Sequence, residues 1–117
     1  MPDSILILDD EEDCLRVLKD FLDKMGFQVI LALQPKGALE LVRKHRPALV
    51  FFDYKMPLFD GDKFLAEAKS ICPQSKYVLM TAYRDDNTVE RFTKMGVYDV
   101  MIKPIDLAKL LSIVRKA

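Results

Sequence analysis

Five short apolar runs alternate with five longer segments of helical period, and that alternation leaves few folds open. The runs occupy 4–8, 27–31, 48–52, 77–80 and 100–102 and are rich in Ile, Val, Leu and Phe. Most lack a polar residue at every second position, the pattern of strands covered on both faces, as in a parallel sheet. The first helical segment runs over 12–25, with Leu15, Leu18, Phe21 and Leu22 as its apolar stripe and Gly26 as its stop. The second opens near Pro35, carries Leu39, Leu41 and Val42, and passes through Arg43, Lys44, His45 and Arg46 to Pro47. Cations suit that carboxyl end of a helix, and proline suits its first turn. The third follows Asp60 as N-cap, carries Phe64, Leu65 and Ala68, and stops before Pro73. The fourth covers 86–95 up to Gly96, and the fifth runs from Asp106 with Leu107, Leu110, Leu111 and Val114 on one face. Strand–helix–strand crossovers are right-handed, so the expected fold is α/β: a (βα)5 flavodoxin-like three-layer sandwich around a parallel five-stranded sheet in the order 2-1-3-4-5.

A chain of 117 residues fits one domain, here taken as 1–117. Eighteen basic residues balance eighteen acidic ones, which removes the electrostatic footprint of a nonspecific nucleic-acid binder. Charges interrupt every apolar stretch before it reaches a membrane span, and Met1-Pro2-Asp3 lacks the basic start of a secretion signal. Cys14 and Cys72 are too few for a disulfide framework or a zinc site and read as small hydrophobes. A soluble cytoplasmic protein is the default expectation. His45, the one histidine, sits in a basic helix end and is expected to face solvent.

Ligands of open parallel sheets bind beyond the carboxyl ends of the strands. Asp9 and Asp10 follow the first run, Asp53 the third, Thr81 and Ala82 the fourth, and Lys103 and Pro104 the fifth. Three carboxylates, a hydroxyl and an ammonium are thus expected at one sheet edge. Two like charges about 4 Å apart repel by about 4 kcal/mol at an effective dielectric of about 20. Such a pocket must take up protons, stay hydrated or bind a cation. Oxygen ligands with open positions suit Mg²⁺. A carboxylate beside that ion and a lysine can attack phosphorus and form an aspartyl phosphate, with Thr81 Oγ and the Ala82 N–H placed to hold phosphoryl oxygens.

These fragments resemble the response-regulator receiver family of two-component signalling. Asp9-Asp10-Glu11 resembles its acidic pair. Phe52-Asp53-Tyr54-Lys55-Met56-Pro57 with Asp60-Gly61 resembles its phosphoacceptor loop, Met80-Thr81-Ala82 its switch hydroxyl, and Lys103-Pro104 its conserved lysine and proline. The resemblance spans essentially the whole chain. It implies that Asp53 is the nucleophile and takes a phosphoryl group from a phosphohistidine on a histidine kinase or histidine phosphotransfer protein. It implies that Asp10 binds Mg²⁺ directly, Asp9 mainly through water, and the Lys55 backbone carbonyl supplies another ligand. It also implies a cis peptide at Lys103–Pro104 and an output surface on the fourth helix, fifth strand and fifth helix, a region containing Val89, Phe92, Met95, Tyr98 and Leu107, some of which must be core. That surface would meet a downstream domain or protein, or a second copy of the chain on phosphorylation. Neither direct nucleic-acid binding, membrane attachment nor a separate enzymatic substrate is implied.

The chain departs from the family pattern at Val100, three residues before Lys103, where the family usually has Tyr or Phe. Signalling is therefore expected to rest on movement of Thr81 and the following loop rather than on a rotating ring. Lys55 and Tyr83, each two residues past a site residue, are expected to tune the lifetime of the phosphorylated form. Two rival readings share the acidic pocket. One is a small Mg²⁺-dependent phosphohydrolase, which would usually carry an acid where Lys55 stands; the other is a scaffold that never takes phosphate.

Overall fold

The computed structural model describes residues 4–54, 56, 60–82 and 86–117, with position 86 described for its backbone only. The elements alternate as expected: β1 (Ser4–Leu8), α1 (Glu12–Lys24), β2 (Gln28–Ala32), α2 (Pro35–His45), β3 (Leu49–Asp53), α3 (Gly61–Ile71), β4 (Lys76–Thr81), α4 (Asp86–Lys94), β5 (Asp99–Ile102) and α5 (Leu107–Lys116). The strands are parallel and lie in the order β2-β1-β3-β4-β5. This is the flavodoxin-like α/β arrangement that the alternation of periods predicts.

The sheet divides the core in two. Ile5 and Ile7 of β1, Leu49 and Phe51 of β3, and Val78 and Met80 of β4 face α1 and α5, where Leu15, Leu18, Leu22, Leu110 and Val114 meet them. The intervening residues Leu6, Leu8, Val50, Phe52, Tyr77 and Leu79 face the other side, against Val42, Phe64, Leu65, Ala68 and Phe92 of α2, α3 and α4. Side chains along a strand alternate between faces, so an apolar run with no polar alternation can be buried only where helices cover both sides. That holds for β1 and β3, whose residues are all buried. It holds less well for the edge strands, since Gln28 of β2 is exposed and β5 is mostly half-buried.

Several helix ends follow local rules. Asp60 caps α3 by accepting the Lys63 N–H at 3.1 Å, and Asp106 caps α5 by accepting the Ala108 and Lys109 N–H groups. After α1, Gly26 takes φ +91, which lets its N–H reach the Asp23 carbonyl and the Phe27 N–H reach that of Leu22. Gly96 repeats the arrangement after α4. These left-handed caps satisfy carbonyls that a helix otherwise leaves open, and glycine adopts them without strain. On α2 the deepest residues are Ala38 and Val42, while Leu39 and Leu41 are half-buried, a shift of about one position from the stripe expected. Ile113 joins the buried face of α5, leaving Leu107 and Leu111 at its margin.

Tyr77 is the largest fully buried side chain among the described residues, and its single hydroxyl proton is shared between the Ala68 and Cys72 carbonyls, each 2.9 Å away. Burial pushes this phenol up to about 12 from an ordinary value of 10.0. The unfolded chain therefore releases that proton first as pH rises. Stability from Tyr77 should be complete below about pH 10 and decline as pH climbs toward 12. Urea unfolding across that window should show Tyr77→Phe with a shallower decline, by at most one proton, or about 1.4 kcal/mol per pH unit.

Candidate functional site

The carboxyl ends of β1, β3, β4 and β5 bring the expected residues together. Leu8 of β1 pairs with Phe52 of β3, and Asp53 with Met80 of β4, while Thr81 pairs with Ile102 of β5. This register sets Asp9, Asp53, Thr81 and Lys103 side by side. The peptide between Lys103 and Pro104 is cis, as expected.

Lys103 lies at the centre of the cluster. Its Nζ donates to Asp9 Oδ2 at 2.8 Å and stands 3.1 Å from Asp53 Oδ2. Both carboxylates are buried, Asp9 fully and Asp53 to within 3%. Burial alone would lower the ammonium's pKa, but the hydrogen bond from Lys103 to Asp9 and the charge of Asp53 overcome it, so the group is held above its ordinary value. The other Asp9 oxygen, Oδ1, accepts the Glu11 N–H at 3.0 Å at the entry to α1. One oxygen from each of Asp9, Asp10 and Asp53 lies within 4.8 Å of the others, and Asp10 is exposed while its two companions are buried. Among the described residues of the cluster, three carboxylates and the one ammonium of Lys103 leave two formal negative charges. Hard oxygen donors with one side open to solvent fit a small divalent cation that keeps some of its water.

Thr81 is fully buried at the end of β4, and its carbonyl accepts the Lys103 N–H at 2.7 Å. Ala82 follows at the exposed rim. Lys55 and Tyr83, expected to flank the site, lie outside the described residues.

Cys14 is half-buried rather than the small core residue expected. It lines a cavity of about 580 Å³ with Glu11, Val17, Lys103, Pro104 and Leu107, between the start of α1 and the chain leading into α5. Burial and the neighbouring Asp9 charge raise its thiol, so it is no activated nucleophile. Cys72 is buried and His45 exposed, both as expected. Phe92, expected on the output surface, is fully buried, edge-on to Phe52 and Tyr54 at 6.0 and 5.6 Å. Tyr98 stands beside Tyr77 at the far end of the sheet, its ring under Lys76 Nζ at 4.8 Å. It lies four positions before Ile102, the partner of Thr81, a distance of about 13 Å along a strand. It is Val100, opposite Leu79, that packs into the α4 side of the sheet.

The family model described as the response regulator receiver domain matches residues 5–115. The chain belongs to this family. It is a receiver domain of the two-component response-regulator type. It is 32% identical to sporulation initiation phosphotransferase F of Bacillus subtilis over 99% of its length and 94% of that protein's. It is also 32% identical to the chemotaxis protein CheY of the same species, over 99% and 98%. Regulatory protein AtoC of Escherichia coli is 37% identical over 97% of the chain, which spans 24% of that longer protein. Among solved structures, a response regulator receiver domain protein from Clostridium thermocellum superposes with a TM-score of 0.89 at 26% identity, covering 97% of this chain and 91% of the other. A CheY-like receiver from Methanospirillum hungatei gives 0.91 at 25% identity, with coverage of 97% and 91%.

The site's electrostatics make two expectations. Lys103→Met leaves two buried carboxylates without their shared counter-charge and should lower unfolding stability by about 3 kcal/mol in cation-free buffer at neutral pH. Millimolar Mg²⁺ should raise the melting temperature of the unaltered protein by binding only the folded state, an effect that Asp10→Asn should diminish. Urea and thermal unfolding with and without Mg²⁺ check both.

Proposed function

We propose that Asp53 accepts a phosphoryl group from the phosphohistidine of a histidine kinase or histidine phosphotransfer protein, with Mg²⁺ in the acidic pocket. The observation that carries this reading is the single Lys103 ammonium held between Asp9 and Asp53, with an Asp10 oxygen beside them. Asp10 and Asp53 would hold the ion with the Lys55 backbone carbonyl, and Asp9 would contribute through water while retaining Lys103. The bound ion would neutralise charge on the pocket and on the phosphoryl oxygens. An Asp53 carboxylate oxygen attacks phosphorus, the phosphorus–nitrogen bond of the donor breaks, and the imidazole leaves with the electron pair. Lys103 meets one phosphoryl oxygen, and Thr81 Oγ and the Ala82 N–H meet others.

The product carries a charge of about −2 where a single carboxylate stood. Thr81 and Lys103 are drawn toward it, and the shift passes through Ala82 into the chain leading to α4. The α4–β5–α5 face then changes what it binds, an output domain, a separate protein or a second copy of the chain. With Val100 packed in the sheet and Tyr98 remote, movement of Thr81 and the loop after it carries the switch, with little ring rotation. The domain promotes its own phosphorylation and dephosphorylation and turns over no separate substrate.

Incubation with acetyl phosphate should add one phosphoryl group to the intact mass only when Mg²⁺ is present, and Asp53→Asn should abolish the gain. No gain in the unaltered protein would favour the scaffold reading. Lys55→Ala and Tyr83→Ala should change the rate at which the phosphorylated protein loses its label, followed by mass over time; unchanged rates would remove both residues from that role.

A further inference from the structure

α4 is tied to the core by few side chains. Of its residues described from 87 to 94, only Thr88 and Phe92 are buried. Across its outer side, Arg91 reaches two other elements at once. Its guanidinium is forked on the Asp62 carboxylate in the first turn of α3, Nε to Oδ2 at 3.0 Å and Nη2 to Oδ1 at 3.2 Å. The same Nη2 donates to the Tyr54 hydroxyl at 3.1 Å. Tyr54 directly follows Asp53, its N–H donates to the Met80 carbonyl at 2.8 Å, and its ring stands edge-on to Phe92. The guanidinium carbon also lies 5.1 Å from the centre of the Phe92 ring. A two-toothed arginine–carboxylate pair holds direction as well as distance, which a lysine pair does not.

We propose that Arg91, Asp62 and Tyr54 form a latch that holds α4 in its resting place, and that releasing the latch favours the phosphorylated state. The second part rests on the reading of Asp53 as phosphoacceptor. If Thr81 is drawn toward a phosphoryl group, the chain through Ala82 pulls on the amino end of α4, while Arg91 anchors the middle of the helix to α3 and to the residue after Asp53. The two pulls oppose each other. Contacts made in one state and lost in the other shift the equilibrium by their difference alone, and the coupling works in both directions. An exposed bidentate pair with a further hydrogen bond is weak enough to break in signalling and strong enough to bias it.

The test uses the whole chain with Arg91→Met, Asp62→Asn, the pair combined, and Tyr54→Phe. Lys94→Met is the control, because Lys94 pairs only with Glu90 within α4 among the ion pairs seen here. Hydrogen exchange of the α4 amides should quicken about threefold to tenfold in Arg91→Met and in Asp62→Asn, with little further change when they are combined. Exchange in α1 and α5 should stay constant, Tyr54→Phe should give a smaller change, and Lys94→Met should not reproduce the pattern. Unchanged α4 exchange, or two fully additive effects, would overturn the latch. Beryllofluoride with Mg²⁺, a phosphoryl mimic, should bind Arg91→Met several-fold more tightly than the unaltered protein. Equal affinity alongside faster exchange would overturn the coupling. Failure of the unaltered protein to bind the mimic would instead sink the phosphoacceptor reading, and exchange would still decide the latch.

Discussion

One ammonium shared by two buried carboxylates organises the functional edge of this domain. Lys103 directly follows the last strand, Asp53 ends the middle one and Asp9 directly follows the first, so their meeting requires β1, β3, β4 and β5 in register. Each carboxylate would be costly to bury alone, and the lysine makes both tolerable without neutralising the pocket. The charge left over is what a cation and a phosphoryl group can use. A fully balanced pocket would be more stable and would have less to offer either.

The central layer of the fold was legible because its physics is local and repetitive. Uninterrupted apolar runs such as 48–52 mark strands covered on both faces, and Asp60, Asp106, Gly26 and Gly96 mark helix ends through backbone rules acting within a few residues. The convergence of Asp9, Asp10, Asp53, Thr81 and Lys103 then followed from parallel topology, since all stand just past or at the carboxyl end of a strand.

What was not legible depended on distance between elements. Phe92 reads as one apolar residue on a short helix, and its complete burial appears only when the rings of Phe52 and Tyr54 are seen beside it. Arg91 and Asp62 are 29 residues apart in the chain. Their pairing joins two helices separated in the chain by β4, and no local spacing announces it. Cys14 looked like a core thiol, yet the acidic entry to α1 leaves it half-open beside Asp9. The aliphatic residue three positions before Lys103 was visible in the sequence at Val100, and the register shows Tyr98 lying toward the other end of β5 from Ile102, the partner of Thr81.

The central claim is that these carboxylates and this ammonium make Asp53 a phosphoryl acceptor. An acyl phosphate differs from other phosphorylated side chains in that borohydride reduces its carbonyl carbon and releases phosphate, turning aspartate into homoserine. Protein exposed to a phosphodonor and Mg²⁺, reduced in this way and digested, should yield homoserine at position 53. Omission of Mg²⁺ should leave aspartate there. Unreduced Asp53 in Mg²⁺-treated protein, with the label on another residue, would contradict the account.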